Sequence, residues 1–348
     1  MSKILVTGGC GYIGSHTVVD LIEHGFEVVV IDSLERTHPI FVENIAKITG
    51  KKLNFHQVNL CNLEATKEVF KKSGPIDGVI HFAAYKAVAE STREPFKYYR
   101  NNIGSLTNVL DCIAQFNIPN FVFSSSCSVY GNAKEQPVTE QTPMQEAECA
   151  YAATKQIGEI MSLDMSKQFE VNNIMLRYFN PIGAHKSGLI GNFPHPTDNA
   201  LVPYICKAAV GEIPYLSIFG TDYPTRDGTC IRDYIHVSDI AHAHTLALQY
   251  LQAEKNDSKY EIFNVGTGRG SSVKEMVDAF EKANGRKVPI KENPRRPGDV
   301  DQIFADYSHA KNKIGWEPKL NLVEMMRSAW QWQQYISDND LMNIYQKP

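Results

Sequence analysis

Tyr151 and Lys155, in the string Tyr-Ala-Ala-Thr-Lys, are the first two residues whose types and spacing suggest chemistry. They open a predicted helix, Ala152–Phe169, and a spacing of four puts both side chains on one face. A phenol with its ordinary pKa near 10 is mostly protonated at neutral pH, but a neighbouring ammonium stabilises phenolate and turns the tyrosine into a proton acceptor. The same pattern occurs in helices with no chemistry, so its neighbours must discriminate. Upstream, a predicted strand Asn120–Phe123 runs into Ser124-Ser125-Ser126-Cys127-Ser128-Val129-Tyr130-Gly131. That is the carboxyl end of a sheet strand, where α/β proteins bind ligands. A serine there can hydrogen-bond both a reacting hydroxyl and the tyrosine oxygen, while Ser124 and Ser128 also suit turn and capping roles.

A second constellation lies at the N-terminus. The predicted strand Lys3–Thr7 enters Gly8-Gly9-Cys10-Gly11-Tyr12-Ile13-Gly14 and then a helix. Exposed N–H groups and the positive end of a helix favour a pyrophosphate there, and missing β-carbons let it approach. The spacing is G-x-x-G-x-x-G, one residue different from G-x-G-x-x-G. A tight βα turn with no ligand would read the same way, but Asp32 closes the second predicted strand roughly 20 residues on, where an acid accepts from ribose hydroxyls. A carboxylate at that place repels a 2′-phosphate, so the expected cofactor is NAD rather than NADP, with Arg36 close enough to soften the preference. A cationic nicotinamide would add to the pull on Tyr151.

The elements that must hold these groups alternate. Predicted strands Lys3–Thr7, Glu27–Ile31, Lys52–Val58, Gly78–Phe82, Asn120–Phe123 and Asn173–Leu176 are interleaved with predicted helices Ser15–His24, Glu64–Lys72, Asn102–Phe116 and Ala152–Phe169. That is the form of a Rossmann-type α/β fold, a doubly wound parallel sheet. After Phe179 proline, glycine and aromatic residues rise and the alternation stops. The expected division is a cofactor domain over residues 1–180 and a smaller mixed α/β substrate lobe over 181–348. Parts of 235–268 return to the first domain, through a helix Val237–Leu251 and a strand Glu261–Val265. A further helix, Ser272–Asn284, ends at Gly285.

The composition limits the partners. The 348 residues are 43% hydrophobic and 21% charged with a net charge of −4, which gives no electrostatic case for nucleic acid or an anionic membrane. No apolar stretch nears the ~20 residues of a membrane span, and the N-terminal segment turns polar too early for a secretory signal, so a cytoplasmic protein is expected. The seven cysteines form no C-x-x-C, and His242 and His244 are two apart on a predicted helix and cannot share a face. No metal is expected. Trp316 and the pair Trp330 and Trp332 read as packing of the C-terminal segment.

Taken together, Gly8–Gly14, Ser124–Gly131 and Tyr151/Lys155 resemble the extended short-chain dehydrogenase/reductase family, in its sugar-nucleotide-modifying branch. Two longer strings, Leu176–His185 (LRYFNPIGAH) and Asp222–Val237 (DYPTRDGTCIRDYIHV), resemble the UDP-hexose 4-epimerases within it, and the resemblance covers nearly the whole chain. It implies NAD held by Gly8, Gly11, Tyr12, Ile13 and Gly14, by Asp32, Ser33, Leu34, Arg36 and Thr37 around the adenosine, and by Asn59 and Leu60 at the adenine. Phe82, Ala83, Lys86, Asn101, Ser124, Tyr151, Lys155 and Phe179 complete that implied set. Asn59 departs from the family's acidic residue, and Ala200 from its Asn or His.

The implied catalytic roles are Tyr151 as proton acceptor, Lys155 as holder of the nicotinamide ribose and Ser126 as orienter of the sugar hydroxyl. Asn180, Leu201, Phe219, Arg232, Tyr234, Arg296 and Asp299 match positions that hold UDP, and Ile303 falls where residue size decides whether an N-acetyl group fits. The implied activity interconverts UDP-galactose and UDP-glucose by transient oxidation at C4, in a homodimer joined through a four-helix interface. A UDP-N-acetylhexosamine epimerase, a sugar-nucleotide 4,6-dehydratase and a catalytically silent NAD-binding sensor stay open beside it. Against the dehydratase, Ser126-Cys127-Ser128 lacks the two carboxyl groups such enzymes carry; against the sensor, Tyr151 and Lys155 are both intact.

Overall fold

The run Ile4-Leu5-Val6-Thr7 is buried at every position and so lacks the alternation of a strand with one wet face. A strand of this kind needs cover on both sides. The computed structural model describes residues 1–195, 200–296 and 299–341 and places this run near the middle of a parallel sheet. In space the seven strands follow the order Tyr260–Val265, Asn172–Tyr178, Asn120–Ser124, Gly78–His81, Lys3–Thr7, Glu27–Asp32, Asn54–Gln57. Chain order reverses at Lys3–Thr7, whose neighbours are the second and fourth of these strands in sequence. The crevice for a ligand opens at the carboxyl ends there.

Alternate residues of each strand feed two cores. Ile4, Val6, Val28 and Val30 pack beneath the helices Tyr12–Glu23 and Val237–Gln252 through Val18, Leu21, Ile240 and Leu248. Leu5, Val29, Ile31 and Phe121 face the other side, where Val69, Leu106, Val109 and Met165 come from the helices Leu63–Ser73, Gly104–Gln115 and Ala150–Gln168. A third core, with Ile205, Ile218, Met276, Phe280 and Met326, joins the helices Leu201–Val210, Val273–Asn284 and Leu322–Asp338 to the strand pair Leu216–Phe219 and Ile290–Asn293. Trp316, Trp330 and Trp332 are all buried.

The structure differs from the sequence reading in local ways that have physical causes. The first helix begins at Tyr12 rather than Ser15, because Gly11 supplies an extended N-cap with no side-chain bond and leaves the first amides free. The helix expected from Asn102 is preceded by a single wide turn, Tyr99–Ile103, before regular winding resumes at Gly104. Tyr260–Val265 is the outermost strand of the large sheet, paired with Asn172–Tyr178. The helix Leu322–Asp338, which the sequence reading did not delimit, starts on an Asn321/Glu324 capping box.

Candidate active site

The glycine turn is fixed by three backbone bonds: Gly8 N donates to the Ile31 carbonyl at 2.8 Å, Gly11 N to the Gly8 carbonyl at 3.0 Å and Ser15 N to the Gly11 carbonyl at 2.9 Å. A β-carbon on Gly14 would lie 2.1 Å from the Gly8 oxygen, and one on Gly8, at φ +67°, would lie 2.7 Å from Ala83 N. Only bare backbone fits between the two neighbouring strand ends. This cradle, with the uncapped amides of Tyr12, Ile13 and Gly14 at a helix N-terminus, suits a pyrophosphate. Lys86 Nζ stands 5.9 Å above the Tyr12 ring, and Tyr12 donates to the Gly183 carbonyl at 2.6 Å.

Beside the cradle, Asp32 accepts from Cys10 N at 3.0 Å and Leu34 N at 2.9 Å, and burial pushes its carboxyl up. Ser33 Oγ accepts from Glu35 N at 3.3 Å, and Leu34 adopts φ +59°, so the chain turns sharply just after Asp32. Thr37 donates to the Cys10 carbonyl at 2.7 Å and braces the glycine turn from behind. Arg36 pairs with Glu90 at 2.9 Å and stacks 4.4 Å above Tyr85, so its charge is largely committed within the protein. The Asn59 side chain is turned back on its own loop, accepting from Cys61 N at 2.9 Å, while Leu60 is buried. Phe82 lies 4.5 Å from the His244 ring, and Asn101 donates to Asn102 at 3.0 Å inside the wide turn.

Across the crevice, Lys155 Nζ donates to the Ser124 carbonyl at 2.5 Å and sits 5.0 Å from the Phe123 ring and 5.9 Å from the Tyr151 ring. Burial lowers its pKa to about 8, with Glu159 pulling the other way. Ser126 caps a short turn of helix, Cys127–Tyr130, its Oγ accepting from Ser128 N at 3.2 Å, and it pulls the Tyr151 phenol's pKa down against burial. Tyr151, Ser126 and Lys155 are therefore brought together. The Tyr151 phenol is pushed up, by desolvation first and by Tyr178 second, with Ser126 opposing. With Lys155 and Ser126 buried and Tyr151 half-buried, an added cation acts there at reduced dielectric.

The proposed sugar-nucleotide side forms the facing wall. Asn180 pairs with Tyr234 in a short parallel ladder, and Phe179 and Ile303 pack together with Val129 and Tyr130. Arg232 Nη1 donates to the Ile231 and Val300 carbonyls, both at 2.9 Å, and its Nη2 lies 3.8 Å from Asp299. Arg296 donates to Asp299 at 3.0 Å and lies 4.9 Å above Phe219. Leu201 opens a helix whose N-cap, Ala200, makes no side-chain bond.

Several residues that support the site escaped the sequence reading. His81 Nδ1 is 2.8 Å from Thr7 Oγ1, Asn102 Nδ2 donates to Thr154 Oγ1 at 3.1 Å, and the hydroxyl of Tyr178 bonds Ser124 Oγ. Asp233 accepts from the amides of Thr267, Gly268 and Ala305 at 2.8, 3.2 and 3.1 Å, tying three loops under the cleft. Its place between Arg232 and Tyr234, inside a string already singled out, was the available signal.

Known proteins resemble this chain over nearly its whole length. The family model described as GDP-mannose 4,6 dehydratase matches residues 5–329. The chain is 45% identical to UDP-glucose 4-epimerase 2 of Arabidopsis thaliana over 95% of this chain and 94% of the relative. It is also 45% identical to UDP-glucose 4-epimerase of Bacillus subtilis, over 95% and 96%. The crystal structure of a UDP-glucose 4-epimerase from Stenotrophomonas maltophila, with bound NAD and formylated UDP-arabinopyranose, superposes with a TM-score of 0.94 at 41% identity, covering 97% of this chain and 100% of that one. The enzyme from Bifidobacterium longum, in complex with NAD+ and UDP, gives 0.90 at 38% identity, over 97% and 99%. The chain belongs to the UDP-glucose 4-epimerases, within the wider family that the GDP-mannose 4,6 dehydratase model describes.

Proposed function

We propose that this protein interconverts UDP-glucose and UDP-galactose by inverting the sugar at C4, with NAD as its resident cofactor. The carrying observation is the meeting of Tyr151, Ser126 and Lys155 one strand away from a glycine cradle that a single β-carbon would fill. Bound NAD supplies a reversible acceptor for the C4 hydride. Tyr151 takes the 4-hydroxyl proton as that hydride leaves, and returns it when the hydride comes back to the other face of a 4-keto sugar. Ser126 holds the hydroxyl against the phenol, and Lys155 grips the nicotinamide ribose. Asp32 accepts from the adenosine ribose.

On the substrate side, Arg232 and Arg296 meet the diphosphate, Phe219 the uracil, and Asp299 the uridine ribose, with Asn180, Leu201 and Tyr234 lining the same wall. Residues 1–180 with parts of 235–268 form the cofactor domain, and the remainder forms the substrate lobe. Ile303, buried against Phe179, sets the room beside the sugar, and its intermediate size admits some N-acetylated substrate. The test is incubation with UDP-glucose and, separately, UDP-N-acetylglucosamine, with products identified by NMR. Galactose-configured product is expected; retained NAD with no turnover of either sugar would make the protein a sensor.

The protein works as a homodimer in the cytoplasm. Ile160, Phe169 and Phe96 are exposed apolar residues, Ile160 on the helix Ala150–Gln168, Phe169 just past its end and Phe96 on the neighbouring Pro95–Tyr98 turn. With Gly104–Gln115 alongside, two copies would close a four-helix interface. All seven cysteines are free thiols, in keeping with a reducing compartment, and no helix among the described residues is long and apolar enough to cross a membrane. Sedimentation at micromolar concentration checks the dimer, with Ile160→Glu expected to yield monomer.

A further inference from the structure

Asp20 and His24 lie one turn apart at the far end of the helix Tyr12–Glu23, and His242 reaches them from the helix Val237–Gln252 packed alongside. His242 Nδ1 is 3.3 Å and His24 Nδ1 is 3.5 Å from Asp20 Oδ2, and the imidazole centroids are 5.2 Å apart. One ligand atom from each residue lies within 4.8 Å of the other two. A tetrahedral cation with bonds near 2.1 Å spaces its ligands about 3.4 Å apart, which matches both measured nitrogen–oxygen separations. His24 Nδ1 also lies 2.7 Å from the Asp20 carbonyl oxygen, a hydrogen bond that the ring gives up when Nδ1 loses its proton and turns its lone pair to the ion.

We propose that Asp20, His24 and His242 form a binding site for a borderline divalent cation of the zinc class, with a fourth position open to water. Two imidazoles and one carboxylate select such ions over calcium or magnesium, which prefer oxygen. The side chains are 19%, 37% and 28% exposed, so an ion and its water can enter. The sequence reading dismissed His242 because His244 cannot share its face. The structure agrees on that point, since His244 turns inward against Phe82, and finds the partners on another helix. The glycine cradle lies at the opposite end of the Tyr12–Glu23 helix, about 18 Å away at 1.5 Å per residue. The ion therefore acts as a clamp between two packed helices rather than as part of the chemistry.

The experiment uses untagged holoenzyme, dialysed against EDTA and then titrated with zinc chloride by calorimetry and with cobalt chloride by visible absorption. One equivalent bound, a tetrahedral cobalt spectrum, a raised melting temperature and unchanged turnover are expected. His24→Ala and His242→Gln should each weaken that equivalent at least about tenfold while keeping activity, which also shows that they fold. No saturable binding, or binding equally strong in both variants and hence carried by cysteines or other side chains, would overturn the proposal.

Discussion

Glu159 and Arg177 form a two-pronged ion pair behind the catalytic helix, Nε to Oε1 at 2.9 Å and Nη2 to Oε2 at 2.6 Å, with both side chains almost wholly shielded from solvent. The pair is a hub. Ser125 Oγ donates to Glu159 at 2.5 Å, and Arg177 donates to the Tyr130 hydroxyl at 3.1 Å, which in turn donates to Asn264 at 2.6 Å. It thus joins the serine loop, the helix that carries Tyr151 and Lys155, and the last two strands at one edge of the sheet, Asn172–Tyr178 and Tyr260–Val265. Glu159→Gln strands a buried guanidinium and is expected to cost about 3–5 kcal/mol, read by chemical or thermal denaturation. A double replacement of Glu159 and Arg177 by methionine should recover much of that loss.

Tyr151→Phe removes the proton acceptor and keeps the ring. Turnover of UDP-galactose should fall by about 10²–10⁴-fold with NAD still bound, measured by coupled assay and by the absorbance of cofactor released on denaturation. Undiminished turnover would refute the role given to Tyr151.

The glycine cradle predicts a graded series. A β-carbon at Gly14 lies 2.1 Å from the Gly8 oxygen and 2.9 Å from Gly9 Cα, whereas one at Gly11 lies 3.1 Å from the same oxygen and meets nothing else close by. Gly14→Ala must shift backbone and should purify without NAD; Gly11→Ala should retain a weakened site. Cofactor content per chain checks the order.

Acid should destabilise the fold well before its carboxylates are neutralised. Burial lowers the pKa of His16 and His81 to about 3, and of His185, His236 and His244 to about 4. Unfolded, each titrates near 6.5, so below that pH the unfolded chain binds the extra protons and stability drops as pH falls from about 6.5 toward 4. At pH 5 the effect reaches at most about 2 kcal/mol for each imidazole. A melting temperature that does not change between pH 7.5 and 5 would contradict this.

What could be read in the sequence was whatever local chemistry dictates. The glycine turn announces itself because only glycine tolerates Ala83 N and the Gly8 oxygen at such range, and Tyr151 and Lys155 because four residues make one helical turn. Long-range partnership was not readable. Glu90 meets Arg36 from 54 residues away, and the strands Leu216–Phe219 and Ile290–Asn293 find each other across the third core. Nor could spacing foretell that desolvation pushes the Tyr151 phenol up, since that depends on the loops packed around it.

The strand Tyr260–Val265 has a consequence for how the protein comes into being. It caps Asn172–Tyr178, so the cofactor sheet stays unfinished on the ribosome until a first large part of the substrate lobe, residues 181–234, has also been synthesised. A chain stopped near residue 180 presents Asn172–Tyr178 as a bare, apolar edge, the kind of surface on which nascent chains stick to one another. The cofactor half is therefore no autonomous module: it matures late, together with the lobe it serves, and an excised version of it is expected to aggregate rather than fold.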